Sequence, residues 1–501
     1  MLNIPLILSI APFFLFIFFL FIRKRTLLEA SLVTLLAYTA LAIFYWKIFP
    51  SYLYASYGKG IFVAIDIFII IFGAIFFLEI LKSLNIIKNI SYYLSGISKD
   101  YRVQVIIIAW FFESFLEGTA GFGVPAAVAV PLLIGIGLPH VRALILGLLG
   151  NSSPGIFGAA GTPIKVGFAT LNTSSVPFYA SIINFVGILV PIFMMWIATK
   201  GRVNRKKEFL EVIPFAIWSG ILFFVPSFLA ATYIGQEFPT IIGSIIGLAL
   251  IILSIKLKIF TPKNILSLVE KREDSLIMSP LRSFFPYILL VIFLILGKIF
   301  LNNFGLPINL GFNHTFSLFN PGFIFIIVGI IVYVIRESKK GVLFLFIKTA
   351  FKEALAPFFV IASMLAMVQI MINSGNNSSM IPSAIYVITG VMETNLLPFF
   401  APFGGALGSF MTGSVTASNI MFGSLFNGAS INMGLNSQII LALLVVGGGI
   451  GNMIALADIL TAEAVIGEKN AERKIIKGVI VPCILCLFIV GIMGLIILEV
   501  I

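Results

Sequence analysis

The chain has 501 residues, of which 60% are hydrophobic and only 10% are Asp, Glu, Lys or Arg, where an ordinary soluble protein carries roughly a quarter charged residues. With 51 Phe and a mean hydropathy of +1.14, these numbers exclude a water-soluble fold and equally a disordered, collagenous or coiled-coil chain. What remains is an all-α polytopic membrane protein whose surface faces lipid, so that the net charge of +12 reflects basic residues held in short loops rather than a nucleic-acid surface.

A helix needs about 20 apolar residues to cross the hydrocarbon. Spans are predicted at 3–22, 27–46, 60–81, 177–198, 209–233, 239–255, 284–301, 321–335, 343–372 and 478–499. The first is too long for a signal-peptide core, and its basic residues follow it rather than precede it, so it reads as a span. Cys483 and Cys486 sit inside the last one, in VPCILCLFIV. That pair lacks further metal ligands and reads as packing. Two regions, 103–171 and 381–467, are apolar yet full of Gly, Ser, Thr, Asn and Pro, and hold several short segments each. The expected total is 12–14 membrane segments.

The basic clusters set the sidedness. They are Arg23, Lys24 and Arg25; Lys200, Arg202, Arg205, Lys206 and Lys207; Lys256, Lys258, Lys263, Lys271, Arg272 and Arg282; Arg336, Lys339 and Lys340; and Lys469, Arg473, Lys474 and Lys477. The positive-inside rule places all of them in the cytoplasm, with both termini outside a cell membrane. The chain then divides into an N-terminal half (1–255), a cytoplasmic linker (256–283) and a C-terminal half (284–501). Span parity requires region 103–171 to travel from inside to outside, leaving from Lys82, Lys88 and Lys99. Region 381–467 must travel the other way.

The two regions also match in part. ESFLEGTAGFG, from Glu113, aligns with GSFMTGSVTAS, from Gly408, at Ser114-Phe115 with Ser409-Phe410 and at Gly118 with Gly413. Each is followed by a second Gly-rich patch, GNSSPGIFGAAGTP (from Gly150) and GGGIGNMIALAD (from Gly447). Ordered pairs of patches with opposite crossing direction are the signature of two inverted-topology repeats. Such backbone at membrane depth survives only as re-entrant hairpins or discontinuous helices that line a cavity.

Neutral hydrogen-bonding groups in these patches suit a polar solute that must bind and leave. The candidates are Ser114, Gly121, Asn151, Ser152 and Thr162 in the first half, and Ser409, Thr412, Ser414, Thr416, Ser418, Asn419 and Asn452 in the second. The competing reading is that small residues only let helices pack closely. Intramembrane charge is expensive and usually functional. Glu117 lies in the first broken region one turn from Glu113, and like charges that close resist double ionisation, which makes Glu117, with Glu113, the candidate proton carrier. Lys165 and Asp458 follow the two Gly-rich patches. Lys165 fits an anionic substrate, an internal carboxylate or an interface equally well. Glu237 and Glu353 are expected near interfaces, and His140 in a loop. Two histidines are too few for a zinc cluster, so neither metal nor cofactor is expected. No catalytic cluster marks an enzyme. A channel, which also uses broken helices, fits two inverted halves less well than alternating access does.

These residues are similar to the lactate permease family. SFLEGTAGFGVPAAVAVPLLIGIGLP resembles that family's S-F-I-E-G-A-A-G-F-G-A-P segment, and GNSSPGIFGAAGTPI its N-T-A-P-V-A-F-G-A-x-G-x-P-I stretch. IGQEFP, FKEALAPFFVIASMLAMVQIMINSG and GGALGSFMTGSVTASNIMFGSLF resemble three further family segments, in order, over about 105 to 470. The resemblance implies a secondary transporter that moves lactate, glycolate or another short 2-hydroxy monocarboxylate with protons. Its partners would be a small carboxylate anion, protons and membrane lipid, with no nucleic acid; a homo-oligomer stays open. Carried over residue by residue, Glu117 matches the family Glu. Asn151, Pro154, Gly158, Gly161 and Pro163 match the first Gly patch, and Thr412, Gly413, Ser414, Thr416, Ser418 and Asn419 the second hairpin. The chain departs at Val415, where the family has Asp, and at Asn452, where it has Lys. An acid and a base are missing together, so neither strands a buried charge. Glu113, Lys165 and Asp458 stand where relatives usually have neutral residues. The alternative is therefore another organic anion, a dicarboxylate or sugar acid, or another coupling ion, in the same fold.

Overall fold

The computed structural model describes residues 4–23, 25–119, 121, 124–268, 279–301, 304–336, 342–466 and 471–500. Lys24, Lys271, Arg272, Lys339, Lys340 and Lys469 of the basic clusters lie outside the described residues. The fold is helical almost throughout, as lipid demands of a chain whose backbone must satisfy its own hydrogen bonds. Nine helices among the described residues are long and apolar enough to cross a membrane, and Ile4–Ile17, Pro321–Ile335 and Ser437–Asn452 are shorter apolar helices.

Most predicted spans stand, with longer ends. The third begins at Pro50 rather than residue 60 and runs to Ser83. Proline suits its first turn, where an N–H has no partner in any case, and the turns carrying Tyr52, Ser56 and Lys59 continue the helix. This helix packs along Val342–Asn373, the other long one. A two-stranded antiparallel hairpin, β1 (Gly305–Asn309) and β2 (Asn313–Ser317), joins two spans where the sequence suggested only a loop. Cys483 and Cys486 are buried free thiols, and Cys483 Sγ lies 3.8 Å from the Ile450 carbonyl.

The two Gly-rich regions have matching architectures. The first opens as a hairpin. One arm runs through Tyr101–Val105, a π-helical stretch Ile106–Phe112 and Glu113–Thr119, and the return arm is Val124–Gly135. A broken helix follows: His140–Gly150, a 3-10 turn Ser153–Phe157, then Gly158–Lys165. The second region repeats the plan, with hairpin arms Leu397–Thr412 and Val415–Asn432 and a broken helix Ser437–Asn452 and Leu456–Ile466.

Hydrogen bonds fix the hairpins at opposite ends of the molecule. The base of the first is tied to the linker and to helix Arg205–Tyr233, through Tyr101 N to Leu266 O at 2.9 Å and Arg102 Nη1 to Glu208 O at 2.7 Å. The base of the second is closed by Asn432 Nδ2 donating to Glu393 at 2.8 Å. Beside it, Ser175 N donates to Gln438 Oε1 at 2.8 Å, at the end that the first broken helix reaches. The hairpins therefore enter from opposite ends and their tips meet inside.

Candidate functional site

The tips and the helix breaks meet around one small cavity of about 30 Å³. The first hairpin contributes Glu117 and Gly121, and the first broken helix Asn151, Gly155, Gly158, Ala159, Thr162 and Pro163. The second hairpin adds Gly413, Ser414, Val415 and Thr416, and the second broken helix Asn452. All four elements thus meet at one place. The break in the first broken helix is unusual. Ala159, Ala160 and Gly161 have φ of 40°, 53° and 78°, a left-handed excursion that costs an L-residue roughly 1–2 kcal/mol. Gly161 lies so close to the Gln236 carbonyl that a Cβ would fall 2.4 Å from it.

Contacts between the repeats hold the breaks open. Asn419 Nδ2 donates to the Pro163 carbonyl at 2.8 Å, and Asn452 Nδ2 to the Asn151 carbonyl at 3.4 Å. The Thr416 and Thr162 hydroxyls are 3.4 Å apart. Asn151 Nδ2 donates to Asp458 at 3.5 Å. At the second tip, Ser414 caps helix Val415–Asn432 by accepting from Ala417 N, so the N-terminus of that helix, with its partial positive charge, borders the cavity.

The wall is neutral but for one group. Glu117 is the one ionisable residue among the described residues that line it. Glu117 is buried, and its Oε2 has no hydrogen-bond partner; neither do Asn151 Oδ1 and Asn452 Oδ1 nearby. Orphaned buried polar atoms in a native structure need an explanation, and three of them around one cavity point to a polar ligand. Gly158 makes room for the carboxyl: a Cβ there would fall 2.1 Å from Glu117 Oε1.

Of the candidate residues, Glu117, Gly121, Asn151, Thr162, Ser414, Thr416 and Asn452 line the cavity, as do Gly158, Pro163 and Gly413 of the family match; the other candidates do not. Ser114 and Ser152 turn back onto their own helices, donating to the Trp110 and Leu149 carbonyls at 2.5 and 2.6 Å. Ser418 donates to the Gly405 carbonyl of the opposite arm at 2.8 Å, and Thr412 to Gly408 O at 2.8 Å. Ser409 is buried behind the tip, and Asn419 is spent on Pro163. Five of these take an acceptor within reach, as a hydroxyl or amide in an apolar interior does, and act in packing; the Ser409 hydroxyl is buried with no hydrogen-bond partner. Glu113 is fully buried beside Gly150, one turn from the cavity, and Asp458 is held by Asn151 behind the wall. Gly155 and Ala159 line the cavity and escaped a search for polar side chains because they carry none, and Val415, where the resemblance has Asp, lines it too.

Lys165 meets an internal carboxylate, one of the readings its sequence left open, whereas Glu237 lies elsewhere than expected. Glu237 is buried rather than at an interface, shared between Lys298 at 2.5 Å and Lys165 at 3.6 Å. Lys165 also donates to Phe319 O at 3.3 Å. Glu353 is exposed, and His140 opens a helix rather than sitting in a loop.

The profile of the family described as L-lactate permease matches residues 5–307 and 300–501. The chain belongs to the L-lactate permease family. It is 30% identical, over 83% of its length and 84% of the relative, to a Haemophilus influenzae protein provisionally named L-lactate permease. It is 27% identical to the glycolate permease GlcA of Escherichia coli, over 93% and 90% of the two chains. The L-lactate permease of Bacillus subtilis is 25% identical over 79% and 78%. The solved YdaH transporter of Alcanivorax borkumensis shares 12% identity at a TM-score of 0.48, covering 89% of this chain and 87% of that one. Within this permease, the two departures from the family pattern, Val415 and Asn452, both line the cavity.

Proposed function

We propose that this permease carries a short 2-hydroxy monocarboxylate, lactate foremost, inward across the cell membrane together with a proton, and that Glu117 holds the proton. The observation that carries this is the Glu117 carboxyl, the one ionisable lining group among the described residues, buried in a cavity built by both repeats. An anion entering beside an ionised carboxylate meets repulsion of about 3 kcal/mol at ~5 Å and an effective dielectric of ~20. Protonation of Glu117 removes that repulsion, so anion and proton load together. The carboxylate would lie toward the Ser414-capped helix start, with Thr162, Thr416, Asn151 and Asn452 offering hydrogen bonds. The relatives' names, L-lactate and glycolate permease, support this substrate class. The end that carries the basic clusters is taken as cytoplasmic, with both termini outside.

Lactate uptake into proteoliposomes is the test. An inward proton gradient should accelerate it, and Glu117→Gln should abolish the acceleration. Uptake indifferent to the gradient would sink the coupling. Full gradient-driven uptake in Glu117→Gln would remove only the assignment to Glu117. A second reading, transport of another organic anion, is favoured by Val415 and Asn452. A dicarboxylate, however, would need fixed cations, and no Lys, Arg or His lines the cavity among the described residues. Competition of labelled lactate by a panel of acids separates the two.

A further inference from the structure

A second polar cavity lies at the end of the protein that carries the β-hairpin. Its volume is about 380 Å³, and its walls include Lys59 and Asp66 of the long helix, His314 of β2 and Lys165 at the end of the first broken helix. Thr162 and Pro163, which line the central cavity, are within one turn of Lys165. A single short turn of helix thus separates the two spaces.

The charges there do not balance. Glu237, 3% exposed, serves two ammonium groups, and the shorter contact goes to Lys298. At 3.6 Å the Lys165 contact is too long for a strong hydrogen bond. Of the three donors on the Lys165 ammonium, one reaches Phe319 O, and the group also sits 4.6 Å from the Phe319 ring centroid. Asp66 Oδ2 faces His314 Nε2 at 3.1 Å, and Lys59 donates to Asn313 O at 2.5 Å. Among the described residues, three lysines stand against two carboxylates, which leaves one positive charge in a low-dielectric recess that focuses its field.

We propose that Lys165 anchors a second carboxylate site, where one organic monoanion docks before it reaches the central cavity. The anion would displace the long Glu237 contact rather than the short one, so docking leaves the Glu237–Lys298 pair in place. A site of this kind recruits anions and releases them inward past Pro163. The inference rests on the anion-transport reading, and its test is chosen to fail separately.

Ala169, an exposed residue of this cavity wall, is replaced by Cys; the native Cys483 and Cys486 are buried. In detergent, the labelling rate of Ala169→Cys is compared for a negatively and a positively charged methanethiosulfonate reagent. The anionic-to-cationic rate ratio should fall about threefold or more when Lys165→Gln is added, and return with Lys165→Arg. Millimolar lactate should slow the anionic reagent on Ala169→Cys alone, a measurement that stands even if Lys165→Gln does not fold. An unchanged ratio, or labelling that lactate, glycolate and acetate all leave unaltered, overturns the proposal. Intact charge preference and protection in a protein that does not transport lactate would support the site and overturn the transport reading.

Discussion

Gly158 and Glu117 illustrate how one residue's absence of side chain sets another's position. The Glu117 carboxyl occupies the space a Cβ at 158 would need. Gly158→Ala should therefore cost about 1–3 kcal/mol of stability by overpacking and suppress uptake. Glu117→Ala in the same chain removes the clash, so the two costs should fall short of additivity in a thermal-denaturation cycle; strict additivity would show that the carboxyl does not sit there. Glu117 itself was legible in the sequence, because a carboxylate inside a broken apolar segment is too costly to be incidental. The place of Gly158 was not. One glycine in GNSSPGIFGAAGTPI looks like another until the fold brings a side chain to it from 41 residues earlier in the chain. Ser114 and Ser409 failed as cavity residues for the converse reason: their types suit a solute, but burial gave them other surroundings.

At the level of elements, the first hairpin is anchored by a buried arginine. Arg102, 0% exposed, donates to both Asp100 oxygens at 2.7 and 3.0 Å, to Glu211 at 3.3 Å, and to the Glu208 and Asn264 carbonyls at 2.7 Å each. One guanidinium thus joins the hairpin base, helix Arg205–Tyr233 and the linker. Arg102→Ala leaves Asp100 buried without its partner and should cost about 3–5 kcal/mol, read as a lowered melting temperature. Arg102→Lys should recover only part of this, since an ammonium lacks the fork that reaches several acceptors at once. A fully stable Arg102→Ala protein would show that the clamp is incidental. The re-entrant hairpins themselves were half legible. Parity of the spans and the paired Gly patches required two broken regions of opposite direction, but which segment turns back and which crosses depends on contacts such as Asn419 with Pro163, 256 residues away. The β-hairpin was not legible, because GLPIN and NHTFS are short, half polar and end at lipid.

At the scale of the whole molecule, the positive-inside rule predicts that both termini share one side and the basic clusters the other. Two highly exposed residues mark the ends: Val203 in the basic loop, 99% exposed, and Met380 beside the second hairpin, 95% exposed. In intact cells an impermeant maleimide should label Met380→Cys at once and Val203→Cys only after permeabilisation. The reverse pattern would invert the topology. Seen as a circuit, the near-neutral cavity wall has a further consequence. Loaded, the site holds a neutral Glu117 and a monoanion; empty, it holds the ionised Glu117. Both states carry one negative charge, so one anion and one proton per cycle move no net charge through the membrane, and a voltage of about 100 mV, worth ~2.3 kcal/mol per elementary charge, does no net work over the cycle. The final lactate accumulation in potassium-clamped vesicles should be the same at zero and at about −100 mV. Greater accumulation at inside-negative voltage would mean a second proton per anion, and the cell would be spending its electrical potential, not only its pH difference, on each molecule gathered.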